Sequence, residues 1–154
     1  MNDADAAVPR DPVPVSFARL LAMVGHRVSR QIETVVNREG LSLDQWRVLI
    51  LLSDRRDHSM SEIAGYVMVP APTLTKIVNR LVEAAFVHRR VDDVDRRRVL
   101  VLASEKGAEL HGRLAPQVAR VESDIAAELD ADEATQLMRL LDRLATPAVT
   151  ATSA

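Results

Sequence analysis

Apolar residues recur along this chain with a period that changes from helical to strand-like and back. Leu74, Ile77, Val78 and Leu81 fall at i, i+3, i+4 and i+7, one stripe of an amphipathic helix. At about 100° per residue, Thr73, Thr75, Lys76, Asn79, Arg80 and Glu83 share the opposite arc, and most of them are donor-rich. Valine then dominates two short runs, residues 87–90 and 98–102, on either side of an Asp- and Arg-rich connection, which predicts a β-hairpin. Upstream, Ser42 with Gln45 makes a capping box for a helix reaching about Ser53, with Trp46, Leu49 and Ile50 on its inner side. Ser59 with Glu62 makes another, for a helix on which Met60, Ile63, Ala64, Val67 and Met68 repeat at three and four. Pro70 is expected to stop that helix by biasing Val69 out of the α region, and Pro72 to take the first position of the next. Helix, short turn, helix and two-stranded ribbon is the order of a winged helix-turn-helix. The fold expected is therefore mainly α with a small β-hairpin wing.

Longer stripes flank this lobe. Phe17, Leu20, Leu21, Val24, Val28, Ile32 and Val35 line a first helix from about Ser16 to Arg38, ended by Gly40. Leu110, Leu114, Val118, Val121, Ile125 and Leu129 line a long fifth helix from Glu105, in which Pro116 should introduce a kink. Asp130 with Glu133 caps a sixth helix carrying Leu137, Leu140, Leu141 and Leu144. Either these stripes pack within one chain or they meet a second copy. Exposed patches of this size are rare on monomers, so the pattern favours a two-fold homodimer through the first, fifth and sixth helices. The expected organisation is a disordered tail at 1–14, a first dimerisation helix at 15–40, a DNA-binding lobe at 41–103, C-terminal dimerisation helices at 104–146 and a disordered tail at 147–154.

Charge sharpens the reading of the lobe. Over residues 71–98 seven basic side chains (Lys76, Arg80, Arg89, Arg90, Arg96, Arg97 and Arg98) stand against four acidic ones, in a chain whose net charge is −2. Positive charge collected on one segment of an acidic protein is the footprint of a nucleic-acid face. A winged helix used only as a protein-interaction module is the alternative, but it has no need of five arginines beside a polar recognition face. An enzyme is disfavoured: there is no glycine-rich phosphate loop, no cysteine nucleophile and no carboxylate–histidine constellation. With no cysteine at all there is no disulfide, thiolate zinc site or thiol redox sensor, and the four histidines have no ligand spacing, so neither metal nor cofactor is expected. The first residues lack a basic n-region and an apolar core, and no run approaches about 18 apolar residues, which predicts a cytoplasmic protein without a membrane segment.

The run LSLDQWRVLILL, then MSEIAGYVMVPAPTLTKIVNRLVEAAFVHRR, then DVDRRRVLVLASEKG, resembles the MarR family of bacterial transcriptional regulators over about residues 41–107. The most specific piece is the wing signature Asp-x-Arg, five residues, Leu-Thr, which here is Asp95, Arg97 and then Ala103-Ser104. Ala103 replaces leucine, while Ser104 keeps a hydroxyl able to cap the helix from Glu105. The resemblance implies a transcriptional regulator, most simply a repressor, that binds a palindromic operator in double-stranded DNA as a homodimer. The DNA contacts it implies are Thr73, Thr75, Lys76, Asn79 and Arg80 on the recognition helix and Arg89, Arg90, Asp95, Arg96, Arg97 and Arg98 on the wing. Asn79 and Arg80 are expected to read base edges, and Arg97 to enter the minor groove with Asp95 holding its side chain. MarR-like proteins take small aromatic anions near the dimer junction. There, Met23, His26 and Arg30 on the first helix and Trp46, Arg47 and Ile50 on the second are the expected lining for an aromatic or anionic effector.

Overall fold

The computed structural model describes residues 16–146, and both expected tails, 1–14 and 147–154, lie outside the described residues. Six α-helices run α1 Phe17–Val36, α2 Leu43–Leu51, α3 Met60–Val67, α4 Ala71–Glu83, α5 Glu105–Ala126 and α6 Ala131–Ala145. The strands are β1 His58–Ser59, β2 Val87–Val91 and β3 Val99–Ala103, antiparallel in the order β1-β3-β2. The hairpin register pairs Val87 with Ala103 and Val91 with Val99. The short β1, for which the sequence has no strand pattern, sets His58 opposite Val101 and so joins the α2–α3 turn to the wing.

The helix starts follow from their caps. Ser42, Ser59 and Asp130 each form the complete reciprocal box with Gln45, Glu62 and Glu133, and Ser104 accepts the Gly107 amide at the head of α5. Gly40, at φ 75°, ends the first helical run as expected, but the end of α3 departs from expectation. The residue that ends α3 is Met68, in the left-handed region at φ 58° and 83% exposed, rather than Pro70. Met68 therefore leaves the buried stripe on which its spacing put it. Pro70 instead supplies the extended N-cap of α4, and Pro72 is that helix's second residue. Pro116 lies inside α5, which continues through it.

One core unites the lobe with the flanking helices. Trp46, Leu49 and Leu52 meet Ile63 and Val67 of α3, Leu74, Val78 and Leu81 of α4, Val87 and Val101 of the sheet, and Leu110 and Leu114 of α5. From α1, Ile32, Val35 and Val36 close it. Burial stops there: Phe17, Leu20, Leu21 and Val24 on the first half of α1 are exposed, and no residue of α6 is buried.

Candidate nucleic-acid interface

The burial of Leu74, Ile77, Val78 and Leu81 turns the opposite arc of α4 outward, so Thr73, Thr75, Lys76, Asn79, Arg80 and Glu83 are all exposed. The Thr75 hydroxyl donates to the Ala71 carbonyl at 3.0 Å, which spends its proton on its own helix and leaves it an acceptor. Lys76 and Arg80 form no ion pair among the described residues. With Thr73 and Ile77 they line a groove of about 270 Å³ against Ser42, Asp44 and Gln45 at the start of α2.

The wing arginines divide into two sets. Arg90 on β2 binds Asp57 through Nε at 3.0 Å and Asp93 through Nη1 at 3.2 Å, and the Arg98 guanidinium lies 4.0 Å from Asp92. Arg89, Arg96 and Arg97 are exposed and form no ion pair among the described residues. Asp95 does not grip the Arg97 side chain. Its Oδ1 accepts the Arg97 backbone N–H at 3.0 Å and its carbonyl accepts the Arg98 N–H at 2.9 Å, so it shapes the turn that presents Arg97. Asp92 does the same one turn earlier: Oδ1 accepts the Val94 N–H at 2.9 Å, and this bond chiefly holds its carboxyl below the ordinary range. Val94 is left 97% exposed at the tip.

A knot of side chains at the base of the wing escaped the periodicity argument. Asp54 accepts the Arg56 backbone N–H at 2.9 Å and lies 3.0 Å from His58 Nε2 through both oxygens. Led by the Arg56 backbone bond and then His58, these contacts bring the Asp54 pKa down to about 2. Asp57, lowered by its bond to Arg90, ties the same loop to β2. The signal was there in the run Ser53-Asp54-Arg55-Arg56-Asp57-His58, where acids and bases interleave between two helices.

Trp46, Arg47 and Ile50 line a cleft of about 420 Å³ between α1, α2 and α5, to which α6 adds Leu141. Met23, His26 and Arg30 do not line it; all three are exposed. The α1 residues that do are Leu21, Val24, Gly25, Val28, Ser29 and Ile32, because the apolar stripe of α1 turns toward α2 and α5 and carries its polar neighbours outward. Arg47 Nη1 binds Asp44 at 3.0 Å. The one buried side-chain donor without a partner among the described residues is Trp46 Nε1. His111 stacks on the same indole, ring centroids 5.1 Å apart, and burial pushes its pKa down. Among the described residues no group of histidine, aspartate and glutamate is arranged to hold a metal ion, and no helix is long and apolar enough to cross a membrane.

Residues 41–99 match the model of the MarR family. The chain is 31% identical over 110 residues to an uncharacterised HTH-type transcriptional regulator of Mycobacterium bovis, covering 71% of each chain. It is 26% identical over 108 residues to the homoprotocatechuate degradative operon repressor of Escherichia coli, covering 70% of this chain and 73% of that one. Among solved structures, a mutant MarR from E. coli complexed with operator DNA superposes with a TM-score of 0.75 at 25% identity, over 82% of this chain and 91% of that one.

Proposed function

The chain belongs to the MarR family of transcriptional regulators, and from that premise we propose that it is a homodimeric repressor of a palindromic operator, released by a small aromatic or anionic molecule. The observation that carries the DNA reading is the clustering on one lobe of exposed cations that form no ion pair among the described residues: Lys76 and Arg80 on α4, Arg89, Arg96 and Arg97 on the wing. In a protein of net charge −2, cations held by no carboxylate are available to displace counterions from a duplex. The E. coli repressor and the MarR–operator complex are relatives whose own names carry repression and operator binding, and they support the same reading here.

Dimerisation is supported by α6, a fifteen-residue amphipathic helix with no buried residue, and by the exposed Phe17, Leu20 and Val24 of α1. Two copies related by a two-fold axis would present their α4 helices to major-groove faces roughly 34–36 Å apart, which makes the operator a palindrome. The effector reading rests on the cleft beside Trp46, apolar apart from Ser29, Arg47 and Glu122, with Arg47 as its cation. A ligand there would release DNA only by binding better to a dimer whose lobes are wrongly spaced.

Selection of bound duplexes from a random pool is the direct test. Recovery of a palindrome with half-sites about one helical turn apart is expected. A pool with no enriched sequence would overturn the repressor reading in favour of a protein-interaction module.

A further inference from the structure

We propose that the groove between α2 and α4 seats a backbone phosphate of the bound duplex, gripped by Lys76 and Arg80, so that Arg80 orients the recognition helix and base reading falls to Asn79. The inference rests on the DNA-binding reading and assigns labour within it. It departs from what the sequence suggests, where Asn79 and Arg80 are equivalent base readers on one polar arc.

Three features make the groove fit an anion. First, Lys76 and Arg80 are exposed, have no carboxylate partner among the described residues, and line it together. Second, Gln45 also lines it and is 91% buried. Its Oε1 is taken by the Ser42 N–H at 2.8 Å, and its side-chain amide hydrogens have no acceptor among the described residues. The amide nitrogen still reaches solvent, so beside Lys76 and Arg80 it is a donor that an anion seated in the groove could take up. Third, the groove opens at the first turn of the nine-residue α2, where the Leu43 and Asp44 amides also have no acceptor among the described residues and the helix dipole favours negative charge. The Asp44 carboxylate borders the groove, but Arg47 Nη1 holds it at 3.0 Å, so the cations prevail.

Position on the helix separates the two side chains. Thr73, Ile77 and Arg80 form the flank of α4 turned to α2, with Ile77 as the half-sealed floor at 9% exposure. Asn79 does not line the groove and stands on the outward arc, where its amide can meet an adenine edge bidentately. A guanidinium drawn to the side of the helix meets the strand's phosphates, which carry no sequence information.

Full-length protein would be titrated over a range of salt against its selected operator and a random duplex, with Arg80→Ala, Arg80→Lys, Lys76→Ala and Asn79→Ala beside wild type. All three positions are exposed, and matched melting curves would exclude misfolding as the cause. We expect Arg80→Ala and Lys76→Ala to weaken both duplexes by the same factor, about tenfold, and to flatten the salt slope by about one each. Arg80→Lys should restore affinity for both, since a point charge satisfies a phosphate but not the bidentate guanine contact. Asn79→Ala should lower the operator-to-random ratio with the salt slope unchanged. Arg80→Ala collapsing that ratio, with no rescue by lysine, would make Arg80 a base reader and overturn the proposal; so would unchanged affinity in Arg80→Ala and Lys76→Ala. Failure of wild type to bind either duplex would remove the DNA reading itself, and the proposal with it.

Discussion

Gly107 tolerates no side chain. A Cβ built there would stand 2.0 Å from the Phe86 carbonyl oxygen and 2.9 Å from its carbon. That carbonyl also accepts the Ser104 N–H at 3.0 Å, while Ser104 Oγ donates to the Ala85 carbonyl at 2.7 Å, so the head of α5 is stitched to the chain entering the wing. Gly107→Ala should destabilise the fold by about 1–3 kcal/mol, read as a lower urea midpoint at unchanged slope. An unmoved midpoint would mean that α5 slides freely on β2. Nothing local announces this glycine, since close approach is a tertiary fact and the residue reads in sequence as an ordinary member of a helical turn. The wing turn was partly legible: the Asp95-x-Arg97 spacing marked a built turn, yet the partner is a backbone amide and not the guanidinium. Arg97 is thus presented by the turn with no ion-pair partner among the described residues. Arg97→Ala is expected to weaken operator binding by about 1–3 kcal/mol and to reduce the salt slope by about one. Equal affinities at matched salt would take Arg97 out of the interface.

At the scale of elements, starts were easier to read than stops. A cap is a local pattern of two residues three apart, so Ser42, Ser59 and Asp130 could be found by eye and all head helices. The end of α3 was misread because Met68, like Arg55 and Ala85, takes a left-handed turn with no glycine to signal it, whereas Gly40 did mark the end of the first helical run. Met68→Gly should relieve that strain while losing no packing at 83% exposure, and raise stability by about 0.5–1 kcal/mol in urea unfolding. A loss of stability would mean that the Met68 side chain contributes more than its backbone costs. The short β1 was invisible for a related reason: two residues cannot show a period, and what fixes them is pairing with β3 and the Asp54 knot. That knot has a pH signature. The Asp54 pKa of about 2 lies below its ordinary 3.8, so its contribution is complete above the ordinary value and is lost as pH falls from about 4 toward 2. Melting temperatures followed over that window should fall more steeply in wild type than in Asp54→Asn, and parallel curves would deny the knot any role in stability.

The whole molecule explains why long stripes on α1, α5 and α6 coexist with so little burial at one end. The stripe on α5 grades outward, with Leu110, Leu114 and Val118 buried and Val121 and Ile125 half-buried, and Leu129, which the spacing put on this helix, lies past its end and is exposed at 38%. The sequence could show that these helices are amphipathic but not where the intrachain core ends, because apolar spacing is the same on either side of that boundary. The effector expectation shifted likewise: Trp46, Arg47 and Ile50 meet at the cleft, but the face that α1 turns to it is its apolar stripe, and the rotation of a helix against its neighbours is set by packing. The graded burial also decides which substitution tests the proposed dimer. Val121 packs against the core, so a charge there would damage the protomer itself. Leu140 is 40% exposed on a helix with no fully buried residue, so Leu140→Asp should leave the lobe folded. Across a two-fold seam formed by Leu137, Leu140 and Leu144 the same change would set a carboxylate and its symmetry mate in an apolar interface. Light scattering at micromolar concentration should then find wild-type dimers and Leu140→Asp monomers. The variant's affinity for a full palindrome should drop toward that for an isolated half-site, with the melting of the lobe retained. A monomeric wild type that still binds the palindrome tightly would sink the dimer mechanism and the effector switch built upon it.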